Sequence, residues 1–482
     1  MAASDASAVA PRERRRLQFP TAFTILFLLI GLVAIATHLV PAGTYDTEYN
    51  ESLDRDVPVP GTYQPVENVP QGLVDVILAP IAGLYDPKTY QANAIDVAVF
   101  VLVIGGFLGV VAKTGAIDAG IARTTAALKG REKWMIPILM SLFAAGGTVY
   151  GMAEETMAFY LLVLPVVIAA GYDSITGVAV IMIGAAMGTL GSTINPFATV
   201  IASNAAGIPF TEGMMWRLVL LGVGWLICVA YVMRYAERVR KDPSKSLVAE
   251  LHDRNRAHFL GGKTSLEAIK FTTTHKIVLV VFGLSFAVMI WGVSARGWWM
   301  AEMAGLFLAA SILTGIIARI GEHEFVDTFL AGARDLLGVA LIIGVARGVV
   351  VVMNEGMITD TILFWSEQVV EGLPPIVFIN VMYWIEVGLS FLVPSSSGLA
   401  VLTMPIMAPL ADFSGVDRAT VVTAYQSANG LVNFINPTFA VVMGGLALGR
   451  VPYQRWLRFT WPLLVILTVL NMAVLSISIV TG

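Results

Sequence analysis

Charged residues are scarce in this chain of 482 residues. Asp, Glu, Lys and Arg make up 13% of it, against about 25% in a typical soluble domain. Hydrophobic residues make up 57%, and the mean hydropathy is +0.77. So few charges cannot coat a soluble globule of this size, which nearly excludes an ordinary soluble enzyme. The alternative solvent is lipid, which an apolar stretch of about 20 residues is long enough to cross.

Residues that bind metals, nucleotides or nucleic acids are also rare. The chain has one cysteine, Cys228, and five histidines, which excludes a disulfide framework and argues against a zinc or haem site. It has no G-x-x-x-x-G-K-[ST] phosphate loop to support ATP-driven transport. The net charge of -4 provides no basic field for nucleic acid. We therefore expect no cofactor, no resident metal and no nucleic-acid partner.

Apolar runs and the loops between them predict a membrane topology. A cluster of arginines precedes a first apolar run at 19–40, which is too long for the core of a signal peptide and is interpreted as a retained span. Loops rich in Lys and Arg stay in the cytoplasm. Residues 1–18 are therefore predicted to form a cytoplasmic tail, and the loops 237–275 and 450–458 to be cytoplasmic. The loop 42–92 has eight acids and two basic residues and is predicted to be external.

This pattern predicts nine spans in the cytoplasmic membrane, with the N-terminus inside and the C-terminus outside. We place them at residues 19–40, 94–113, 174–206, 214–236, 277–295, 298–320, 337–353, 417–448 and 459–480. Two short amphipathic helices, at 72–84 and 324–336, are expected to precede the second and seventh of these spans.

Two further apolar segments are broken near their centres. Residues 134–172 break at 146–156, and the flanks of about 13–16 residues are short for a crossing at 1.5 Å per residue. We therefore predict a re-entrant helical hairpin that opens to the cytoplasm. Residues 373–412 break at 390–398, and they predict a second hairpin that opens outward.

The segments 174–206 and 417–448 are each cut by an Asn-Pro pair. Because proline removes a backbone donor, we predict two discontinuous helices. Four residues around these pairs repeat at an offset of 241: Leu190, Ile194, Asn195 and Pro196 match Leu431, Ile435, Asn436 and Pro437. The elements follow the same order in both halves, and the extra span at 277–295 turns the second half over. This predicts an inverted-topology repeat, the usual architecture of secondary transporters.

The predicted fold is therefore an all-α polytopic membrane protein with two hairpins and two discontinuous helices. The first repeat is expected at 19–236 and the second at 297–482, with a cytoplasmic loop and a linking span at 237–296. In this architecture substrate and ion bind where half-helices meet, since helix N-termini offer N–H groups to anions and unwound carbonyls offer oxygen to cations. The four breaks therefore predict the position of the site.

Three short motifs resemble a known family. They are Pro41-Ala-Gly-Thr-Tyr-Asp46, Gly151-Met-Ala-Glu-Glu-Thr156 and Gly171-Tyr-Asp-Ser-Ile-Thr-Gly177. Together with the two Asn-Pro breaks they resemble the YfcC family, within the anaerobic four-carbon dicarboxylate carrier group of the ion transporter superfamily. The likeness runs from about residue 17 to the end. It implies a mobile transport domain built from the hairpins and broken helices, a dimerising scaffold and elevator-type motion.

The strongest candidate site residues are Glu154 and Glu155 at the first hairpin tip, because carboxylates inside a membrane are costly and usually functional. Their alternative role is to satisfy the dipole of the returning helix. The matching place in the second hairpin carries three serines, so the two sides of the pocket are chemically unequal. The full set of predicted substrate- or ion-binding residues is Thr148, Glu154, Glu155, Thr156, Ser192, Thr193, Asn195, Ser395, Ser396, Ser397, Asn429, Asn433 and Asn436. Tyr150, Arg347 and Glu386 are left open between binding and packing.

A secondary transporter is the function that this pattern favours. An enzyme would need a nucleophile–base pair or metal ligands, and a channel would be expected to show one continuous lined pore. Two carboxylates beside one arginine suit a basic amino acid such as arginine, ornithine or lysine. The alternative is a four-carbon dicarboxylate, with the glutamates serving sodium or protons and a sodium ion near Asn195 and Asn436. The expected partners are the small substrate, membrane lipid and a second copy of the chain.

Overall fold

The computed structural model describes residues 21–50, 55–117, 119–120, 123, 131–260, 271–296 and 298–481. The predicted cytoplasmic tail at 1–18, part of the loop 237–275 and Gly482 therefore lie outside the described residues, as does the side chain of Tyr150.

The described part of the chain is mostly helical. In the first half the helices are α1 (Ala22–Leu39), α2 (Leu73–Ala82), α3 (Ile95–Lys113), α4 (Met135–Tyr150), α5 (Thr156–Ala169), α6 (Ser174–Leu190), α7 (Ile201–Ala205) and α8 (Met214–Lys241). They continue with α9 (His252–Leu260), α10 (Thr273–Arg296), α11 (Met300–Ala318), α12 (Glu322–Asp335), α13 (Leu337–Glu355), α14 (Thr359–Val370), α15 (Pro375–Leu392), α16 (Ser396–Phe413), α17 (Arg418–Val432), α18 (Ala440–Leu448) and α19 (Tyr453–Thr481). The two predicted amphipathic helices correspond to α2 and α12.

Seven of the described helices are long and apolar enough to cross a membrane, namely α3, α8, α11, α13, α15, α16 and α19. The chain is thus a membrane protein with several spanning helices. Two of the seven, α15 and α16, are the predicted arms of the second hairpin. At 18 residues each they measure about 27 Å, so helix length alone does not separate a hairpin arm from a full span. The number of spans stays a prediction.

The helices α6 and α17, which precede the two Asn-Pro pairs, form the buried centre of the protein. Both begin at an aspartate that caps the helix: Asp173 Oδ1 accepts the N–H of Thr176 at 2.9 Å, and Asp417 Oδ1 accepts the N–H of Ala419 at 3.0 Å. A carboxylate at this position also stabilises the positive end of the helix dipole. Every residue of α6 is buried, as is all of α17 after its first residue.

Glycines let these central helices approach their neighbours closely. A Cβ at Gly188 on α6 would overlap the carbonyl oxygen of Ala144 on α4, and a Cβ at Gly430 on α17 would overlap the backbone of Leu190 at the end of α6. The second contact brings the ends of the two central helices together, immediately before both breaks.

The loop 42–92, which the sequence predicts to be external, corrects one expectation, because the fold is not entirely helical. Strand β1 (Gly43–Thr44) pairs with β4 (Gln64–Pro65), and β2 (Thr47–Asn50) pairs with β3 (Arg55–Pro58), both antiparallel. The loop lacks a helical period, and its Thr, Tyr and Val residues favour extended chain. It is fastened to α14 by Tyr45, whose N–H donates to Asp360 at 3.1 Å and whose hydroxyl donates to Glu367 at 2.9 Å.

Candidate functional site

The first tip comprises residues 151–155, which join α4 to α5. Gly151 ends α4 in the left-handed region at φ 76°, and a Cβ there would lie 2.6 Å from Asn195 Oδ1. Glycine is therefore required both by the turn and by the neighbouring break. Within the tip, Glu155 Oε2 accepts the N–H of Ala153 at 3.0 Å. This bond fixes the carboxylate of Glu155 against its own turn, while Glu154 lines the cavity.

The second tip comprises residues 393–395, which join α15 to α16. Ser395 caps α16, since its Oγ accepts the N–H of Gly398 at 3.2 Å. Ser396 then connects the tip to α17: its Oγ donates to Asn429 Oδ1 at 3.0 Å, and its carbonyl accepts the Tyr425 hydroxyl at 2.5 Å. The N-terminus of an 18-residue helix is thus presented at this tip, and the first turn of that helix contains no acidic residue.

The first break comprises residues 191–200 and the second break residues 433–439, and each is fastened by its Asn-Pro asparagine. Asn195 Nδ2 donates to the carbonyl of Gly147 at 3.3 Å, while its Oδ1 accepts the N–H groups of Phe197 and Ala198 at 2.8 and 3.2 Å. Asn436 Nδ2 donates to the carbonyl of Ser390 at 3.1 Å. In both cases the side chain connects the unwound segment to the arm that precedes the tip.

Thr438 provides the donors for the carboxamide oxygen of Asn436 at the second break. Its N–H and its hydroxyl both donate to Asn436 Oδ1, at 3.0 and 2.8 Å. Both ends of each asparagine carboxamide are therefore occupied by the protein. A ligand at either break would have to share these groups.

The two tips and two breaks meet at one cavity of about 250 Å³. Helices α3 and α13 and the residue before α11 complete its wall. The predicted residues that the structure brings together in its lining are Glu154, Glu155, Asn195, Arg347, Ser395, Ser396, Ser397 and Asn433. The breaks identified from sequence therefore surround a common space.

The other predicted residues are not in the cavity lining. They are Thr148, Thr156, Ser192, Thr193, Asn429, Asn436 and Glu386. Most of them hold the tips and breaks together. The Thr148 and Thr193 hydroxyls lie 3.1 Å apart, and Ser192 Oγ lies 2.6 Å from Thr199 Oγ1. Thr156 donates to the carbonyl of Ala153 at 2.5 Å.

Gln426 connects the two halves at the first break, and the sequence analysis missed it. Its Nε2 donates to the carbonyl of Ser192 at 2.8 Å, and its Oε1 accepts the hydroxyl of Thr199. This side chain lies on α17, so a helix of the second half satisfies the unwound backbone of the first half.

The cavity also contains residues that sequence reasoning did not select, chiefly Asp96 and Trp299. Trp299 Nε1 donates to Asp96 Oδ2 at 2.7 Å. An acid in the first turn of a predicted span was the available signal, but it is equally typical of an ordinary helix start. The remaining missed lining residues with polar or aromatic side chains are Asn93, Thr189, Phe197, Thr438 and Phe439.

The charges around the cavity are unequal. Among the described residues of the lining, Asp96, Glu154 and Glu155 are three carboxylates and Arg347 is the one basic side chain. Asp96 and Glu154 act electrostatically on the Arg347 guanidinium, but among the described residues no direct ion pair is formed with it. The formal charge of the lining is therefore negative, with its positive group on α13.

The described residues contain no group of three His, Cys, Asp or Glu side chains placed to hold a metal ion.

Spanning helices arranged around one polar cavity, itself built from helix breaks, define a membrane transport protein. The chain belongs to the C4-dicarboxylate anaerobic carrier (DcuC) family, whose profile matches residues 19–480. This is a transporter family and not a family of enzymes, and it confirms the resemblance seen in the motifs.

Two relatives are similar over nearly their whole length. An uncharacterized protein of Haemophilus influenzae is 37% identical, with 98% of this chain and 99% of the relative covered. The putative basic amino acid antiporter YfcC of Escherichia coli is 32% identical, with 96% of this chain and 97% of the relative covered.

Two solved transporter structures align over most of the chain with low scores. Neisseria gonorrhoeae MtrF, described within a class of antimetabolite efflux pumps, gives a TM-score of 0.40 at 16% identity, covering 96% of this chain and 95% of MtrF. The YdaH transporter of Alcanivorax borkumensis gives 0.39 at 14% identity, covering 96% of this chain and 99% of YdaH. At these scores neither structure bears on the function.

Proposed function

We propose that this protein is a secondary transporter of a basic amino acid of the arginine, ornithine or lysine type, working by exchange or by ion-coupled uptake. The observation that carries the proposal is the charge arrangement of the cavity, in which three carboxylates and one arginine face a space of about 250 Å³. A ligand with a net positive charge and one carboxylate complements this lining.

The cationic end of the substrate is assigned to the first tip. Glu154 and Glu155 lie there, and Asp96 lies on the neighbouring wall. A guanidinium or ammonium group has donors only, so it can both hydrogen-bond to these carboxylates and balance their charge, whereas a neutral donor does only the first and a carboxylate does neither. Since Glu155 is already held by Ala153, Glu154 is the proposed direct partner.

The carboxylate end is assigned to the second tip. The first-turn N–H groups of α16 carry the positive end of the helix dipole, which favours an anion. The hydroxyls of Ser395–Ser397 add donors, and Arg347 adds a guanidinium that can bind a carboxylate bidentately. The two tips thus differ in the way that the two ends of a basic amino acid differ.

The size of the cavity supports a small metabolite. Pockets for drug-sized ligands run from about 300 to 1,000 Å³, whereas this cavity is about 250 Å³. The likeness to the putative basic amino acid antiporter YfcC also supports this substrate class.

A four-carbon dicarboxylate is the second candidate. It is favoured by the α16 N-terminus, the three serines and Arg347, and by the name of the family. In that case the glutamates of the first tip would serve a coupling sodium ion or proton, because two substrate carboxylates beside three protein carboxylates would otherwise repel one another.

We also propose that the two halves form an inverted repeat in the cytoplasmic membrane, with the N-terminus inside and the C-terminus outside. The matching asparagine bonds at Gly147 and Ser390 and the matching aspartate caps at Asp173 and Asp417 support this. Elevator-type motion and a homodimeric scaffold are proposed from the family likeness.

A ligand-stabilisation screen on the purified full-length protein tests the substrate class, since a ligand that binds the folded state raises Tm. L-arginine and L-ornithine should raise Tm, whereas L-citrulline, a neutral analogue of similar size, and succinate should not. A rise in Tm with succinate alone would support the four-carbon dicarboxylate as the substrate instead. No rise with any of the four would contradict both substrate assignments.

A further inference from the structure

Glu386 is a buried acid that the proposed substrate site does not use. It lies on α15, inside the second hairpin, and its side chain is 0% exposed. Neither carboxylate oxygen has a hydrogen-bond partner, and no ion pair to it is formed within the described part of the chain. It is absent from the lining of the cavity.

This environment determines the protonation state of Glu386. An ionised carboxylate that is buried and unpaired is far more costly than a neutral one, so such a group takes up a proton instead of keeping its charge. Acids inside a membrane protein that lack a structural partner are typical of proton pathways. Burial without a partner therefore favours the neutral form of Glu386 in this conformation.

The groups that face Glu386 connect it to the second tip. The hydroxyl of Thr403 on α16 donates to the carbonyl of Leu399 at 3.0 Å and not to the Glu386 carboxyl. The phenol of Tyr425 on α17 is coupled to that carboxyl electrostatically. Tyr425 in turn donates to the carbonyl of Ser396 at 2.5 Å, and Ser396 lines the cavity. Tyr425 therefore links the buried acid electrostatically to a residue of the cavity wall.

The other helices packed against α15 carry no cation toward Glu386 in the part of the chain that the structure describes. On α14, Asp360 and Glu367 accept hydrogen bonds from Tyr45 of the external loop. On α19, Asn471 donates to the hydroxyl of Tyr383, which lies on α15 itself, at 3.1 Å. Among the described residues, Tyr425 is thus the titratable group coupled to Glu386, and its hydrogen bond to Ser396 leads to the second tip.

The first hairpin has no equivalent acid. The offset of 241 between the Asn-Pro pairs places Ala145 opposite Glu386, and the matching bonds at Gly147 and Ser390 place Phe143 there; neither is an acid. The acid is therefore an addition to one half of the repeat and is not needed to build a hairpin.

We propose that Glu386 is the proton-binding residue that couples transport to the pH gradient. Glu386 holds a proton while α15, α16 and α17 enclose it. It releases that proton to water when the second tip and Ser396 move away from α17. The ionised carboxylate then attracts the Tyr425 hydroxyl more strongly than a neutral carbonyl does, which holds the tip in its altered position until a proton returns. This inference depends on the chain being a transporter but not on which substrate it carries.

The first test needs no substrate. Infrared spectra of the full-length protein, recorded over a pH series, should show a protonated carboxylic acid that persists above about pH 6, where exposed glutamates are ionised. Glu386→Gln should remove this band, and Glu371→Gln, an exposed glutamate at the end of α14, should leave it. If Glu386→Gln is not recovered folded, Glu386→Asp should keep a band at a shifted position. A band unchanged in every recovered Glu386 variant, or no such band in the wild type, would overturn the proposal.

The second test uses labelled L-arginine, or labelled succinate if only succinate stabilises the protein, in liposomes. Because one pH unit and a tenfold concentration ratio are equal in free energy, coupling to one proton predicts about tenfold accumulation for a gradient of about one unit. Glu386→Gln should lose this accumulation and retain exchange that no longer varies with pH. Full accumulation by folded Glu386→Gln would overturn the proposal. Absence of transport by the wild type would instead contradict the proposed function, and the infrared test alone would then decide the role of Glu386.

Discussion

Asn195 and Asn436 make equivalent hydrogen bonds in the two halves of the chain. Each donates its amide to a carbonyl of the arm that precedes the tip, Gly147 at 3.3 Å and Ser390 at 3.1 Å. Each accepts backbone N–H groups of its own break through the carboxamide oxygen. The two asparagines are therefore positioned to hold each unwound segment against its hairpin, so that the cavity wall keeps its shape.

Replacing Asn195 or Asn436 should loosen the wall of the cavity. Asn195→Ala or Asn436→Ala leaves buried backbone groups without partners, at a cost of about 1–3 kcal/mol, and should abolish or severely reduce transport. Thermal unfolding and liposome uptake measure the two effects. Asn204→Ala on α7 is the matched control and should change neither. Normal uptake by both variants would show that the asparagines only mend the helices locally.

The sequence was sufficient to predict the four breaks, because proline and glycine interrupt apolar runs in ways that follow directly from backbone chemistry. It also predicted the side chains at both tips. It could not predict Gln426, since nothing in the sequence of α17 indicates that its side chain reaches the break of the other half. Asp96 was missed for a related reason. An acid in a first helical turn becomes a site residue only when tertiary packing turns it toward a cavity.

The contact between Gly430 and Leu190 should tolerate no side chain. Gly430→Ala places a Cβ against the backbone of Leu190, and overpacking of this kind costs about 1–3 kcal/mol. The variant should unfold at a lower temperature than the wild type. Gly388→Ala on α15 is the control, because a Cβ added there would meet no atom within 4 Å, and it should be neutral or slightly stabilising. Equal stability of the two variants would show that α6 and α17 are not in close contact.

Asp360 should make the attachment of the loop 42–92 to α14 sensitive to pH. Burial raises the pKa of this carboxyl above its usual 3.8, partly offset by the N–H of Tyr45. The folded protein therefore binds a proton more readily than the unfolded chain, and its stability falls as the pH rises from 3.8 through the folded pKa. The asparagine side chain in Asp360→Asn is uncharged at every pH, so this variant does not lose stability as the pH rises. Its Tm advantage over the wild type should be largest near neutral pH and shrink on acidification.

The control for that prediction is Asp56→Asn, on the exposed face of the same loop. It should show no such pH-dependent difference from the wild type. A Tm difference between wild type and Asp360→Asn that is constant with pH would contradict a raised folded pKa for Asp360.

Cysteine labelling tests the proposed orientation. The one native cysteine, Cys228, is buried, so a Cys228→Ser background permits single reporters. With an impermeant thiol reagent, Glu67→Cys and Gly482→Cys should react from outside in intact cells, and Lys245→Cys only after the membrane is opened. Labelling of position 482 only from inside would contradict the inverted repeat.

The binding of L-arginine to Glu154→Gln tests the central claim most directly. Removing a charge-assisted hydrogen bond costs about 1.5–3 kcal/mol, which is about 10- to 150-fold in Kd. Arginine should bind more weakly by this factor, whereas binding of L-citrulline should not change and Glu322→Gln, on an exposed face of α12, should match the wild type. A Kd for arginine that is unchanged in Glu154→Gln would contradict the assignment of the first tip to a cationic substrate group.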